Sequence, residues 1–162
     1  MDSFFPEQKV IIIKDKDFNL ESDEKITIKN RMLSLVLFHD NSNISRDVSK
    51  IWQKLANNIP GIVFYACNLI DSRDIAQEFS LVALDETSPY REFARNRTPF
   101  ILVYRNGKPQ MSYHDVISEV RLINFCSKII TGKVSNKPPK VIEDKNYESD
   151  GTDDDSLPTK IK

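Results

Sequence analysis

The 162-residue chain has few of the residues that build zinc, disulfide or redox sites, since it contains two cysteines and two histidines. This excludes a disulfide-stapled domain and makes a structural zinc site implausible. No apolar run approaches the ~20 residues that a membrane-spanning helix needs. The first residues, Met1–Pro6, lack the basic start and apolar stretch of a secretory signal. We therefore expect a protein that is not secreted, has no membrane span, and binds no metal or other cofactor.

A basic excess is also missing. Lys and Arg total 23 against 24 for Asp and Glu, which gives a formal net charge of -1. Dedicated nucleic-acid binders carry a clear positive excess, so we expect no nucleic-acid partner. The hydrophobic fraction of 40% supplies enough apolar material for the core of one domain of ordinary size.

Acidic residues are concentrated near the end of the chain. Residues 143–162 hold seven acids and three lysines, and prolines and glycine interrupt the stretch from Asn136 onward. Such a segment cannot bury enough apolar surface to offset its backbone entropy. We predict a folded domain over residues 1–132 and a disordered acidic tail over residues 133–162. The tail is either a solubilising segment or an arm that docks on a basic partner.

Hydrophobic patterning predicts an α/β fold. Short apolar runs indicate buried strands, at Val10–Ile13, Leu33–Phe38, Ile62–Ala66, Phe100–Tyr104 and Gln110–Tyr113. Helical spacing indicates helices near residues 48–55, 74–79 and 116–130, and Asn106-Gly107 is a strong hairpin signal. Lys25–Lys29 fits a strand or an irregular connection, and Leu81–Leu84 could be a strand. This order predicts a mixed central sheet with helices on both faces.

Three segments resemble the thioredoxin-like superfamily: Thr98–Lys108, the stretch from Leu37 through Ser42–Arg46 to Trp52–Ala56, and the closing helix Val116–Ile130. Thr87–Pro89 and Gly107–Tyr113 are similar to thioredoxin-domain proteins of large DNA viruses. The resemblance covers about residues 10–131 and implies a thioredoxin-like fold. It also implies a cytoplasmic or virion-associated protein.

The chain departs from the family at the redox site. On this alignment, Ser42 and Ser45 replace the two cysteines of the Cys-x-x-Cys motif. Val36 stands where a buried carboxylate is usual, and Asn41 replaces the tryptophan before the first cysteine. A serine hydroxyl forms no disulfide and is a poor nucleophile at neutral pH without a base. The domain is therefore expected to be redox-inactive at this site.

The resemblance also implies a binding groove. In the family the bond before Pro99 is cis and exposes the backbone of the preceding residue to an extended peptide. Thr98 would then pair with a bound strand beside Arg97, Asn41 and Ser42. The Leu81–Arg97 segment is longer than the family needs and adds a basic-aromatic cluster next to Pro99, formed by Tyr90, Arg91, Phe93, Arg95 and Arg97. Because Tyr and Arg are enriched in interface cores, we expect this cluster to bind a partner. The predicted binding residues are Asn41, Ser42, Ser45, Tyr90, Phe93, Arg97, Thr98 and Pro99, with no catalytic and no metal residues.

Several features have simpler structural interpretations. Ser42 and Ser45 can each cap the helix that begins there, and Pro99 can serve to fix the loop. Cys67 and Cys126 have the pattern of small buried hydrophobes. A Ser42, His39 and Asp40 nucleophile set is conceivable, but three residues of one tight loop rarely reach that geometry.

Three functions remain open. The preferred one is a protein-binding or structural module, including a structural component of a viral assembly. The alternatives are a divergent thiol–disulfide oxidoreductase that uses Cys67 or Cys126, and a chaperone-like pseudo-enzyme. Whether the chain is an enzyme is uncertain, and the missing Cys-x-x-Cys argues that it is not.

Overall fold

Residues 9–132 are described by a computed structural model. The predicted acidic tail lies outside the described residues, so the domain boundary and the tail remain predictions. In the described part, no helix is both long enough and apolar enough to cross a membrane.

A five-stranded mixed sheet forms the centre, in the order β1-β3-β2-β4-β5. The strands are β1 (Val10–Ile12), β2 (Ser34–His39), β3 (Val63–Asn68), β4 (Phe100–Arg105) and β5 (Lys108–Ser112). β1 and β2 both run parallel to β3, whereas β4 is antiparallel to β2 and β5 to β4. Phe38 pairs with Phe100, so the end of β2 and the start of β4 lie side by side at one end of the strands. This register places the β2–α1 loop beside the residues that precede β4.

Helices cover both faces of this sheet. α1 (Asn43–Asn58) and α4 (Glu119–Thr131) pack on one face, around the fully buried Trp52. α2 (Arg73–Leu84), the short α3 (Arg91–Ala94) and residues 18–28 pack on the other. Strand residues alternate between the two cores, as the two-residue period of a strand requires: Leu35 and Leu37 enter the first, and Val36 and Phe38 the second. The predicted mixed α/β fold class is confirmed.

Two local expectations were wrong. Leu81–Leu84 is not a strand but the last turn of α2, and both Leu81 and Leu84 are more than half exposed. A short apolar run at an exposed helix end has the same composition as a buried strand, so the pattern alone could not separate them. The final helix begins at Glu119 rather than near Val116, because Ser118 caps it by accepting a hydrogen bond from Arg121 N. Residues 25–29 form the irregular connection, with one isolated bridge between Phe18 and Ile28.

The start of α2 is capped from a distant part of the chain. Ser72 occupies the N-cap position but makes no side-chain cap bond. Asp15, in a single 3₁₀ turn (Asp15–Asp17), supplies the acceptor instead: its Oδ1 lies 2.9 Å from Ile75 N and its Oδ2 3.4 Å from Asp74 N. The N-terminus of α2 is therefore capped by a contact across 60 residues of chain.

The predicted hairpin between β4 and β5 is present. Asn106 and Gly107 both have positive φ, at 59° and 82°, as a tight two-residue hairpin turn requires. A Cβ at Gly107 would lie 2.7 Å from the carbonyl oxygen of Ile28, so this position needs glycine for space as well as for its backbone angle. The turn thereby closes against the irregular connection that precedes β2.

Candidate functional site

The N-terminus of α1, here called the head of α1, lies beside the C-terminal end of β2. Ser42 is the N-cap, and its Oγ accepts a hydrogen bond from Ser45 N at 3.2 Å. Ser42 therefore has the expected capping role. Ser45 does not cap: it is the third residue of the helix and fully buried, and its Oγ accepts from Asp40 N at 3.1 Å and donates to Asp40 Oδ1 at 2.9 Å.

Asp40 is the centre of the hydrogen-bond network between the β2–α1 loop and Thr98. Its Oδ1 accepts from Ser42 N at 2.9 Å as well as from Ser45, and its Oδ2 accepts from the Thr98 hydroxyl at 2.6 Å. Hydrogen bonds from Ser42, Thr98 and Ser45 hold the pKa of the Asp40 carboxyl well below its usual range, against the opposing effect of partial burial. The carboxylate is ionised at neutral pH and links the β2–α1 loop to the segment before β4.

The conceivable nucleophile set does not take shape in the described part of the chain. Both Asp40 carboxylate oxygens are engaged by Ser42, Ser45 and Thr98, and Nδ1 of the buried His39 lies 3.2 Å from the Asp40 carbonyl oxygen. A hydroxyl nucleophile needs a base that takes its proton and a third group that orients the base. The Asp40 carboxylate instead accepts hydrogen bonds from Ser42, Ser45 and Thr98 that hold the loop in place.

Thr98 and Pro99 lie directly across from the head of α1. The peptide bond between them is cis, and both side chains are partly exposed. Among residues 9–132, the backbone N–H and C=O of Thr98 have no backbone hydrogen-bond partner. An extended peptide can pair with an unpaired main-chain donor and acceptor of this kind by strand addition. The Thr98 hydroxyl, by contrast, is held by Asp40.

Asn41 connects the same loop to the end of β3. Its Oδ1 accepts from Asn68 Nδ2 at 2.8 Å, and Asn68 Oδ1 accepts from Ile70 N, also at 2.8 Å. Ile70 and Ile44 are 54% and 66% exposed and lie near this loop. Sequence reasoning missed both. Ile44 falls four residues before Val48, on the apolar stripe of α1, yet it is exposed.

A cleft of about 410 Å³ opens beside Thr98, between α2 and the segment that joins α3 to β4. Its apolar lining includes Phe79, Phe100 and Leu69, and its polar lining includes Arg97, Asn96 and Thr98. Arg97 is exposed. Arg97 and Thr98 thus line one cleft, and Thr98 joins this cleft to the loop before α1 through Asp40.

Tyr90 and Phe93 are not among the residues that line this cleft. Both are partly buried against the second core cluster, with ring centroids 6.4 Å apart. The Tyr90 hydroxyl donates to Glu24 Oε2 at 3.3 Å, and burial raises the pKa of Tyr90. Sequence proximity suggested one basic-aromatic cluster. In the structure, Tyr90 bonds to Glu24, whereas Arg97, which follows α3, lines the cleft beside Thr98.

Both cysteines are buried and lie on opposite faces of the sheet. Cys67 lies on β3 in the second core cluster, and Cys126 lies on α4 in the first. Burial raises the pKa of each thiol to about 12. The thiolate is the reactive form, so both groups are in their inert state near neutral pH. Within residues 9–132, no group of three or more His, Cys, Asp or Glu side chains could hold a metal ion.

The sequence matches no protein-family model and no curated protein. Solved structures do match. The J-Trx1 fragment of ERdj5 aligns with a TM-score of 0.57 at 17% identity, covering 78% of this chain and 52% of that one. A second crystal form of ERdj5 aligns with a TM-score of 0.55 at 18% identity, covering 76% of this chain and 14% of that one. This chain thus spans about half or less of those proteins, and the likeness at this identity shows the fold.

Proposed function

Because the chain has a thioredoxin-like fold, we propose that it is a redox-inactive thioredoxin-like domain that acts as a protein-binding or structural module. The observation that carries the proposal is the head of α1. Ser42 and Ser45, which we align with the Cys-x-x-Cys positions, place hydroxyl oxygens where exchange would need thiolates. Those hydroxyls serve a helix cap and a carboxylate network instead.

The state of the two cysteines supports the first half of this proposal. A divergent oxidoreductase would need an accessible thiol with a lowered pKa. Cys67 and Cys126 are fully buried, and the pKa of each thiol is about 12. Since they lie in the two separate core clusters on either side of the sheet, they cannot form a disulfide with each other without unfolding.

Thiol labelling of the native protein tests redox inactivity. With an aromatic disulfide reagent at pH 8, we expect neither cysteine to react on the timescale of seconds, and both to react after denaturation. Turnover of insulin disulfides should not exceed that of the Cys67→Ser/Cys126→Ser variant. Rapid native labelling together with insulin turnover above that control would reject the proposal in favour of the oxidoreductase.

The second half of the proposal concerns the surface around Thr98. Three features support binding of an extended peptide there: an unpaired Thr98 backbone, an exposed apolar rim at Ile44 and Ile70, and a cleft whose floor holds Phe79. Apolar anchors surrounded by polar groups are typical of peptide-binding grooves. Arg97 at the cleft favours a partner with an acidic residue.

A displayed library of random peptides can probe this groove directly. We expect selected peptides to perturb the amide resonances of Arg97, Thr98 and Ile70 and to lose affinity about tenfold with Ile70→Glu. Leu84→Glu is the matched control, since Leu84 is an even more exposed apolar residue at the far end of α2. Equal losses from both variants, or peptides that map elsewhere, would remove the groove from the proposal.

We also propose a viral context for this domain, because Thr87–Pro89 and Gly107–Tyr113 are similar to thioredoxin-domain proteins of large DNA viruses. A structural component of a viral assembly, cytoplasmic or virion-associated, fits a domain that binds a protein without catalysing exchange. Co-purification of the chain with particles from infected cells is the measurement that decides it.

A further inference from the structure

The end of the domain opposite Thr98 carries a positively charged surface that the proposed groove does not use. We define this basic end by four exposed cations: Lys29, Arg31, Arg105 and Lys108. Arg31 O accepts a hydrogen bond from Asn106 N at 3.2 Å, which joins the connection before β2 to the hairpin turn. These contacts bring residues about 75 positions apart in the sequence onto one surface.

A cleft of about 340 Å³ lies within the basic end. Lys29, Arg31 and Lys108 line it, together with Glu24 and the Asn106-Gly107 turn. Glu24 lies 3.9 Å from Lys108 Nζ. Within residues 9–132, neither Lys29 nor Arg31 forms an ion pair, so the cleft keeps an excess of positive charge.

The chain leaves the described region beside this surface. Arg105 Nη2 donates to the carbonyl oxygen of Ile129 at 3.4 Å, and α4 ends two residues later at Thr131, with the left-handed Gly132 as its C-cap. The acids of the sequence that follows begin at Glu143, eleven positions beyond Gly132. A linker of that length spans at most ~37 Å when extended, so the acidic segment can easily reach the basic end.

We propose that the acidic segment Glu143–Asp155 of this chain docks on the basic end of its own domain. The occupant follows from charge complementarity and from the place where the chain exits. Residues 143–155 hold seven acids and one lysine. Tethering raises the effective concentration of the segment near its exit to the millimolar range, so several individually weak ion pairs are enough for docking. Docking screens the basic end from other anionic partners and leaves the Thr98 groove open.

Paramagnetic relaxation enhancement in the full chain tests the contact. In the Ser156→Cys variant, a nitroxide reagent labels the introduced thiol selectively, since Cys67 and Cys126 are buried. The six residues of β2 separate the basic end from the head of α1 by about 20 Å. We expect the Gly107 and Lys108 amide signals to be attenuated about twofold or more relative to that of Asn43 at low salt. The difference should disappear at 1 M salt, where the Debye length is only ~3 Å.

Charge reversal supplies the matched control. Lys29→Glu/Arg31→Glu/Lys108→Glu should abolish the selective attenuation. Lys50→Glu/Lys54→Glu/Arg73→Glu, which changes three exposed cations elsewhere by the same total charge, should preserve it. Should the first variant fail to fold, Asp153→Asn/Asp154→Asn/Asp155→Asn weakens the contact from the segment itself and should reduce the attenuation. Uniform attenuation, attenuation centred on Thr98, or attenuation that both triple reversals leave unchanged would overturn the proposal.

Discussion

Replacement of Asp40 is the sharpest test of the network at the head of α1. Asp40→Ala removes the acceptor from Ser42 N, from the buried Ser45 hydroxyl and from the Thr98 hydroxyl. A hydrogen bond to a charged group contributes ~1.5–3 kcal/mol, and water can replace part of this for the two partly exposed donors. Because Ser45 is fully buried, its lost bond accounts for most of the cost. We expect the free energy of unfolding to fall by about 3 kcal/mol, which corresponds to about 10 °C in Tm.

Asp40→Asn and Asp47→Ala complete this test. Asparagine keeps one acceptor oxygen but turns an NH2 group towards a donor, so we expect roughly half the loss, about 1.5 kcal/mol. Asp47 is exposed on α1, and its replacement by alanine should change the free energy of unfolding by less than ~0.5 kcal/mol. Chemical denaturation monitored by Trp52 fluorescence measures all three. A loss for Asp40→Ala no larger than that for Asp47→Ala would refute the assignment of Asp40 as the link between the two loops.

The pH dependence gives a second, independent reading of Asp40. Its pKa is lowered in the folded protein, so its stabilisation is complete above the unfolded value of ~3.9 and is lost as pH falls towards the folded value. The stability difference between the wild type and Asp40→Asn should therefore be constant from pH 5 to pH 7 and shrink below about pH 4. Parallel stability curves down to pH 2 would contradict the lowered pKa.

Other substitutions test single contacts, each by urea denaturation. Gly107→Ala combines a positive φ with a Cβ 2.7 Å from the Ile28 carbonyl oxygen, so we expect a loss of more than ~2 kcal/mol. Gly61→Ala has a positive φ but open space around the new Cβ, so a loss of only ~1 kcal/mol is expected, and equal losses would remove the steric argument. Asp15→Ala should cost ~1 kcal/mol by uncapping α2 at Ile75 N. Asp15→Asn should retain most of that stability because it keeps an acceptor, and a cost equal to that of alanine would count against the cap.

Local patterns were sufficient wherever burial follows directly from composition. The unbroken apolar runs of β2 and β4 predict strands covered on both faces, and all of their residues except Arg105 are buried. The stripe of Val48, Ile51, Trp52 and Leu55 predicts the inner face of α1. Val48, Trp52 and Leu55 are buried, and Ile51 is half-buried. The Asn-Gly turn is local as well, because its positive backbone angles come from residues that tolerate them.

Contacts between distant parts of the chain were not accessible in this way. The Thr98 hydroxyl reaches Asp40 across 58 positions, and Asp15 caps α2 across 60. An aspartate in a loop has the same pattern whether it faces water or organises two loops, so nothing in the local sequence distinguished these carboxylates. Proximity in sequence grouped Tyr90 with Arg97, and the structure adds that Tyr90 bonds to Glu24 while Arg97 lines the cleft beside Thr98.

Short apolar runs and helical spacing thus determined the strands, the main helices and the α/β class, since each of these patterns is carried by one segment alone. The two serines at residues 42 and 45, three positions apart ahead of the Trp52 stripe, are likewise visible without coordinates. Tertiary structure decided which side chains meet where β2 ends and β4 begins, which thiols are buried, and which cations share one end of the domain. Those outcomes depend on strand register and loop closure, which arise only when the whole sheet assembles.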